Sequence, residues 1–146
     1  MRADNRGNIV IEFALALPVL FLLLAGLLDL GRFALQKSSL LQGAREGAQY
    51  GMVNSSDSSG INSTAVNATA LTGVTASHSV FCECVNGTSV SCTTTCNAGV
   101  NLKTYVTVTT TKAFSSFLTP STLSFGSFGS WTPPTSVTAS VTVSVP

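Results

Sequence analysis

The chain has 146 residues, only 9% of them charged, with a formal net charge of +1 and four cysteines. That length holds one small domain plus one appended element, and so few charges leave no clustered basic face, which excludes an electrostatic case for nucleic acid. The apolar residues are concentrated near the start: residues 9–28 read "IVIEFALALPVLFLLLAGLL", with Glu12 as the only charge. At about 1.5 Å per residue, such a helix crosses a hydrocarbon core of about 30 Å. A cleaved secretory signal carries an apolar region of about 7 to 15 residues and then a small-residue cleavage site. Here the run is longer, and the helical pattern continues through "DLGRFALQKSSLLQGAREGAQYG". Arg2, Arg6 and the α-amino group precede the run, with Asp4 as a partial offset, while Asp29 and Arg32 cancel after it. The positive-inside rule therefore predicts a cytoplasmic N-terminus, with everything after about residue 30 outside.

One long helix is predicted over residues 8–52, bent at Pro18, which lacks an amide donor and crowds the carbonyl four residues back. Beyond the apolar run, Leu30, Phe33, Ala34, Leu41, Ala44 and Ala48 recur at helical spacing and ask for a face to bury. Gly43, Gly47 and Gly51 stand four apart beside Ala44 and Ala48. Each glycine inside a helix costs roughly 1 kcal/mol against alanine, which close approach of another backbone would offset. That backbone belongs either to a second molecule's helix or to this chain's own sheet. Arg45 and Glu46 are adjacent and point in different directions, so they read as salt-bridge or capping groups, not as a catalytic pair. The helix should end near Gly51, where "GMVNSSDSSG" turns, and residues 61–71 are read as a short second helix.

From residue 77 the period changes to two. "HSVFCECV" and "VSCTTTC" flank Asn86-Gly87, the dipeptide favoured in tight hairpins. Cys82, Cys84, Cys92 and Cys96 fit a hairpin stapled by two disulfides, and their spacing is not a zinc pattern, so no metal site is expected. A hairpin symmetric about its turn favours Cys84–Cys92 nested inside Cys82–Cys96, whereas a three-residue turn over residues 86–88 would favour the crossed pairing. "LKTYVTVTTTKAF" alternates through Leu102, Val106 and Val108, with Tyr105 out of phase, and "TSVTASVTVSV" through Val137, Ala139, Val141, Val143 and Val145. These strands read as a half-buried antiparallel sheet, giving an α+β fold. The intervening "SSFLTPSTLSFGSFGSWTPP" reads as a loop whose Phe125, Phe128 and Trp131 are candidate surface contacts. His78 is the only histidine, and no Ser or Cys nucleophile has a plausible base nearby. No phosphate loop or carboxylate pair follows the helix, so neither a cofactor nor an enzyme activity is expected.

Residues 6–51, above all Gly7, Glu12-Phe13-Ala14, Pro18, the "LGR" ending at Arg32 and the "AREGA" of residues 44–48, resemble the N-terminal helix of TadE-like proteins. These are pilin-like (pseudopilin) components of bacterial tight-adherence pili, a branch of the type IV filament superfamily. The resemblance implies cutting by a prepilin peptidase between Gly7 and Asn8, which makes Glu12 the fifth residue of the mature chain. Phe13 stands where subunits of this branch more often carry Tyr. A carboxylate in hydrocarbon is costly unless paired. A neighbouring subunit's new α-ammonium would pair with Glu12 and set the register between helices; the alternative is a carboxylate reaching back to the cytoplasmic headgroups. The domains then read as a leader at 1–7, a transmembrane half-helix at 8–30, its extramembrane continuation at 31–53 and an extracytoplasmic β domain at 54–146. The expected partners are the bacterial cytoplasmic membrane, other pilin-like subunits and the pilus assembly machinery, in a homo-oligomer or filament. Two rivals remain from sequence: a major polymerising pilin, and a single-pass protein whose disulfide-linked domain binds a surface.

Overall fold

The computed structural model describes residues 6–85, 87–93, 95–96, 101–117, 123–124 and 126–145. Helix α1 runs Arg6–Val53 and continues through Pro18. Its two halves differ in what covers them. No residue from 11 to 28 is buried, and Leu15 is 73% exposed. From Asp29 onward, buried positions recur at Leu40, Gly43, Ala44, Gly47, Ala48 and Gly51, which is one stripe of the helix. The predicted stripe is thereby corrected. Leu30 and Ala34 are exposed, and Leu40 is fully buried instead. At about 3.6 residues per turn, Ala34 lies about 120° around the helix from Leu40.

Helix α2, Ser58–Ala68, starts three residues before the predicted 61–71 and ends three before it. Asp57 is its N-cap and accepts a hydrogen bond from Gly60 N–H at 3.0 Å, which satisfies an amide that the first helical turn cannot. Thr69 ends it, donating to Val66 O at 2.8 Å and accepting from Leu71 N at 3.2 Å. Ala70 then takes a left-handed φ of +52°, from which no α-helix propagates.

The strands are β1 Val74–Cys84, β2 Ser89–Val90, β3 Leu102–Ala113, β4 Leu123–Ser124, β5 Ser130–Trp131 and β6 Ser136–Val145. Four of them form an antiparallel sheet in the order β2-β1-β3-β6. β4 and β5 pair separately inside the segment expected to be a loop. Gly126 and Gly129, at φ +61° and +111°, permit the reversal between them.

Residues opposite one another across an antiparallel pair share a face. Val80, Val106 and Val143 fall on one side, where the helices bury Val106 and partly cover Val143 while Val80 stays exposed. Phe81 and Tyr105 fall on the other, their rings stacked with centroids 5.2 Å apart, which accounts for the phase slip at Tyr105. One core cluster joins Ala48 of α1, Ile61 and Ala65 of α2, and Val106 and Val108 of β3. A second joins Leu40 to Phe114, Val137 and Ala139. The buried Thr110 hydroxyl ties helix to sheet by donating to Leu40 O at 2.8 Å. The result is α+β: a long helix, half of it bare and half of it built into a small sheet domain.

Candidate functional site

The long helix is the candidate site, so each of its singled-out residues matters by what it meets. Gly7 and Asn8 lie in the first turn of α1, and Glu12 is exposed one turn further on. Among the described residues Glu12 has no partner within the chain. The bare half around it is long and apolar enough to cross a membrane, and none of its most apolar window is covered by the rest of the protein.

The glycine stripe has its contact inside the molecule. A Cβ built on Gly47 would stand 2.7 Å from Ala65 Cβ, 3.1 Å from Ile61 O and 3.2 Å from Val108 Cγ1. One on Gly51 would stand 3.0 Å from Val106 Cγ1, and one on Gly43 would collide with the Ala65 carbonyl and the Thr69 methyl. Sequence left a second molecule's helix or the chain's own sheet as partners; the stripe meets β3 of that sheet and also the chain's own α2, which sequence had not offered. Ala44 and Ala48 are fully buried beside it. Arg45 and Glu46 both face solvent, and neither forms an ion pair among the described residues. The surface that α1 leaves exposed is thereby its bare half and the outward side of its outer half.

Where the two halves meet, the helix is bolted to the domain by a contact that sequence did not reveal. Asp29 is only 8% exposed. Its carboxylate accepts from Phe117 N at 2.8 and 2.9 Å and from the Ser116 hydroxyl. The Arg32 guanidinium lies 3.9 Å from Asp29 and sits over the Phe117 ring at 4.5 Å and the Phe114 ring at 5.8 Å. A carboxylate is affordable at this depth because backbone and hydroxyl donors replace its water.

The four cysteines form two disulfides, Cys82–Cys92 and Cys84–Cys96, so the pairing is crossed and the nested expectation is corrected. The cause is the turn. Cys84 N donates to Thr88 O at 2.9 Å and Gly87 N donates to Cys84 O at 2.8 Å, closing a three-residue connection with Gly87 at φ +84°. Cys82 therefore faces Val90, two residues short of Cys92, and their Cα atoms are 5.1 Å apart. Nesting would need Cys84 to reach Cys92, four ladder positions beyond Thr88, or about 13 Å at strand rise. Cys96 instead lies at a Cα separation of 5.9 Å from Cys84. Asn86 of the expected turn lies outside the described residues.

His78 is also less isolated than sequence suggested. The fold brings Ser58 Oγ to 3.2 Å from its Nε2 and Asn62 Oδ1 to 3.2 Å from its Nδ1. The Ser58 contact is exposed, and the nearby Gly60 amide is already taken by Asp57. This arrangement ties α2 to β1. Of the loop residues, Phe125 lies outside the described residues, while Phe128 closes a short 3-10 turn and Trp131 belongs to β5. Among the described residues, no group of three or more His, Cys, Asp or Glu is placed to hold a metal ion.

The family model described as TadE-like protein matches residues 7–49. The match begins at the expected processing glycine and covers the bare half of α1, Asp29 with Arg32, and most of the stripe, but not Ser116 or Phe117. No curated protein matches the chain. No solved structure matches it either.

Proposed function

We propose that the chain is a membrane-anchored, pilin-like protein that takes part in assembling a tight-adherence pilus by contact, not by catalysis. The observation that carries this reading is Glu12, a carboxylate with no partner among the described residues, in an apolar half-helix that the domain leaves bare, inside the stretch similar to TadE-like proteins. An ionisable residue within a spanning helix calls for a partner. Cutting after Gly7 would free an α-ammonium on Asn8, and the ammonium of one subunit paired with Glu12 of the next would fix their axial register. The prepilin peptidase, the cytoplasmic membrane, other pilin-like subunits and the assembly machinery are the partners this reading requires. The domain is outside the cell in this scheme, where its disulfides persist.

The mass of the protein recovered from membranes and from sheared pili tests the proposal. A mature chain starting at Asn8 is expected, and replacing Gly7 by a bulky residue should leave it full length and inactive in assembly. Normal pilus function from a variant that stays full length would overturn the processing step. Abundance in sheared material would assign the chain to the filament body instead of a minor role.

A further inference from the structure

We infer that the junction between the bare helix and the domain is a phospholipid-binding groove that takes an acyl chain from the outer leaflet. The inference rests on the membrane-anchor reading above. A groove of about 310 Å³ opens beside Asp29, at the lower end of the range for ligand sites. One wall is a single face of α1, built by Gly26, Leu30 and Phe33 at helical spacing. The other wall is Phe114 with Pro133 and Pro134, from the segments that flank β3 and β6. Its two polar lining residues, Asp29 and Ser116, are bonded to each other, so the surface offered is almost wholly hydrocarbon.

Depth identifies the occupant. The apolar run begins at residue 9, and about 30 Å of hydrocarbon takes up about 20 residues of helix. Residues 26–33 therefore lie where the helix leaves the hydrocarbon, and the groove is continuous with the lipid-covered face of residues 11–28. An apolar slot at that level meets acyl chains before any other apolar partner. Arg32, with a side chain 40% exposed, stands within one turn of the groove on the headgroup side, suited to a lipid phosphate. A Cβ on Gly26 meets nothing within 4 Å, so the groove reaches the helix backbone there.

The test uses the full chain in two sets of phosphatidylcholine vesicles, one carrying bromine near the middle of the acyl chains, at the depth of residue 21, and one carrying it near their carbonyl end, at the depth of the groove. The single tryptophan, Trp131, is replaced by Phe, and one reporter is introduced at a time. Phe21→Trp reports on the anchor, and Pro134→Trp, with Pro133→Trp as a second reporter if the first fails to fold, reports on the groove. Disulfide mapping verifies each variant's fold. Both reporters are expected to be quenched, the groove reporter about by half, and adding Gly26→Leu, which fills the slot from the helix side, should abolish quenching of the groove reporter alone. Quenching of Phe21→Trp without the groove reporter leaves the anchor standing and overturns the groove. Quenching of the groove reporter that survives Gly26→Leu means the domain merely rests on the bilayer, which also overturns it. Disulfide crosslinking of two copies through Leu30→Cys, with the groove reporter unquenched, would give the slot to a second helix. No quenching at Phe21→Trp would overturn the anchor and the groove together.

Discussion

At the scale of single residues, the two carboxylates with dense hydrogen bonding hold the two ends of the outer half-helix. Asp29 fixes residues 116–117 to the point where the helix meets the domain. Asp29→Ala takes the charged acceptor away from the part-buried Phe117 amide, and a hydrogen bond to a charged group contributes about 1.5 to 3 kcal/mol. The melting temperature should fall and proteolysis around residues 114–117 should quicken, with Asp29→Asn milder because its amide oxygen still accepts. Unchanged melting in both would show that the bolt contributes nothing. At the other end, Tyr50 donates to Asp57 at 2.7 Å while Asp57 caps α2. The Gly60 N–H, then the Tyr50 and Ser59 hydroxyls, hold the Asp57 carboxyl below the usual carboxylate range. A lowered folded-state value means a stabilising contribution complete above the ordinary pKa of about 3.9 and lost as pH falls through the folded value. The hydrogen bond to Asp57, with burial and repulsion by that carboxylate, raises the Tyr50 phenol. That contribution is complete below the ordinary value of about 10 and is lost as pH rises through the raised one. Melting followed against pH should show both limbs, and Asp57→Asn should flatten them; a variant curve parallel to the parent's would sever the pair from stability.

At the scale of elements, the small-residue stripe lets α1 seat against α2 and β3. Gly47→Leu removes a propensity cost of roughly 1 kcal/mol but drives a side chain into Ala65, Ile61 and Val108, and overpacking of this kind costs about 1 to 3 kcal/mol. Gln49 is exposed, so Gln49→Leu should leave the melting temperature nearly unchanged while Gly47→Leu lowers it by several degrees. Equal melting of the two would remove the close contact from the account. The need for close approach was legible in sequence, because three glycines in a helix otherwise carry only cost. The identity of the neighbour was not, since a glycine records that something comes near and not which chain it belongs to. The strands were legible for a related reason: valine alternating with threonine and serine writes a two-faced sheet directly. The cysteine pairing was not, because moving the centre of one turn by a residue shifts every cross-strand partner. Nor could the Asp29 junction be read, since its partners lie 87 and 88 residues away at the end of a strand whose packing only the fold decides.

For the whole molecule, the division of α1 separates a half that builds the core from a half that is long and apolar enough to cross a membrane. Every buried residue among those described lies at Asp29 or beyond, so the first half of the helix contributes surface but no core. The second half cannot be spared: Leu40, Ala44 and Ala48 are each fully buried, Ala48 with Ile61, Ala65 and Val106, and Leu40 with Phe114, Val137 and Ala139. Two truncations should therefore behave oppositely. A chain starting at Leu27 keeps the Asp29 bolt and both core clusters, so it should be soluble, form Cys82–Cys92 and Cys84–Cys96, and unfold in one cooperative step. A chain starting at Asn54 strips α1 from the sheet and exposes the apolar face of α2 and β3, so it should aggregate or melt without cooperativity. Within the full chain, Leu40→Ala should cost about 2 to 5 kcal/mol as a buried truncation, while Leu22→Ala, on the bare half, should leave domain melting unchanged. Calorimetry of the shorter chain decides the matter. If the form starting at Leu27 fails to fold while the membrane-anchored chain melts cooperatively, the bare half is part of the folding unit, and its exposure would have to be explained by something other than a role in membrane and subunit contacts.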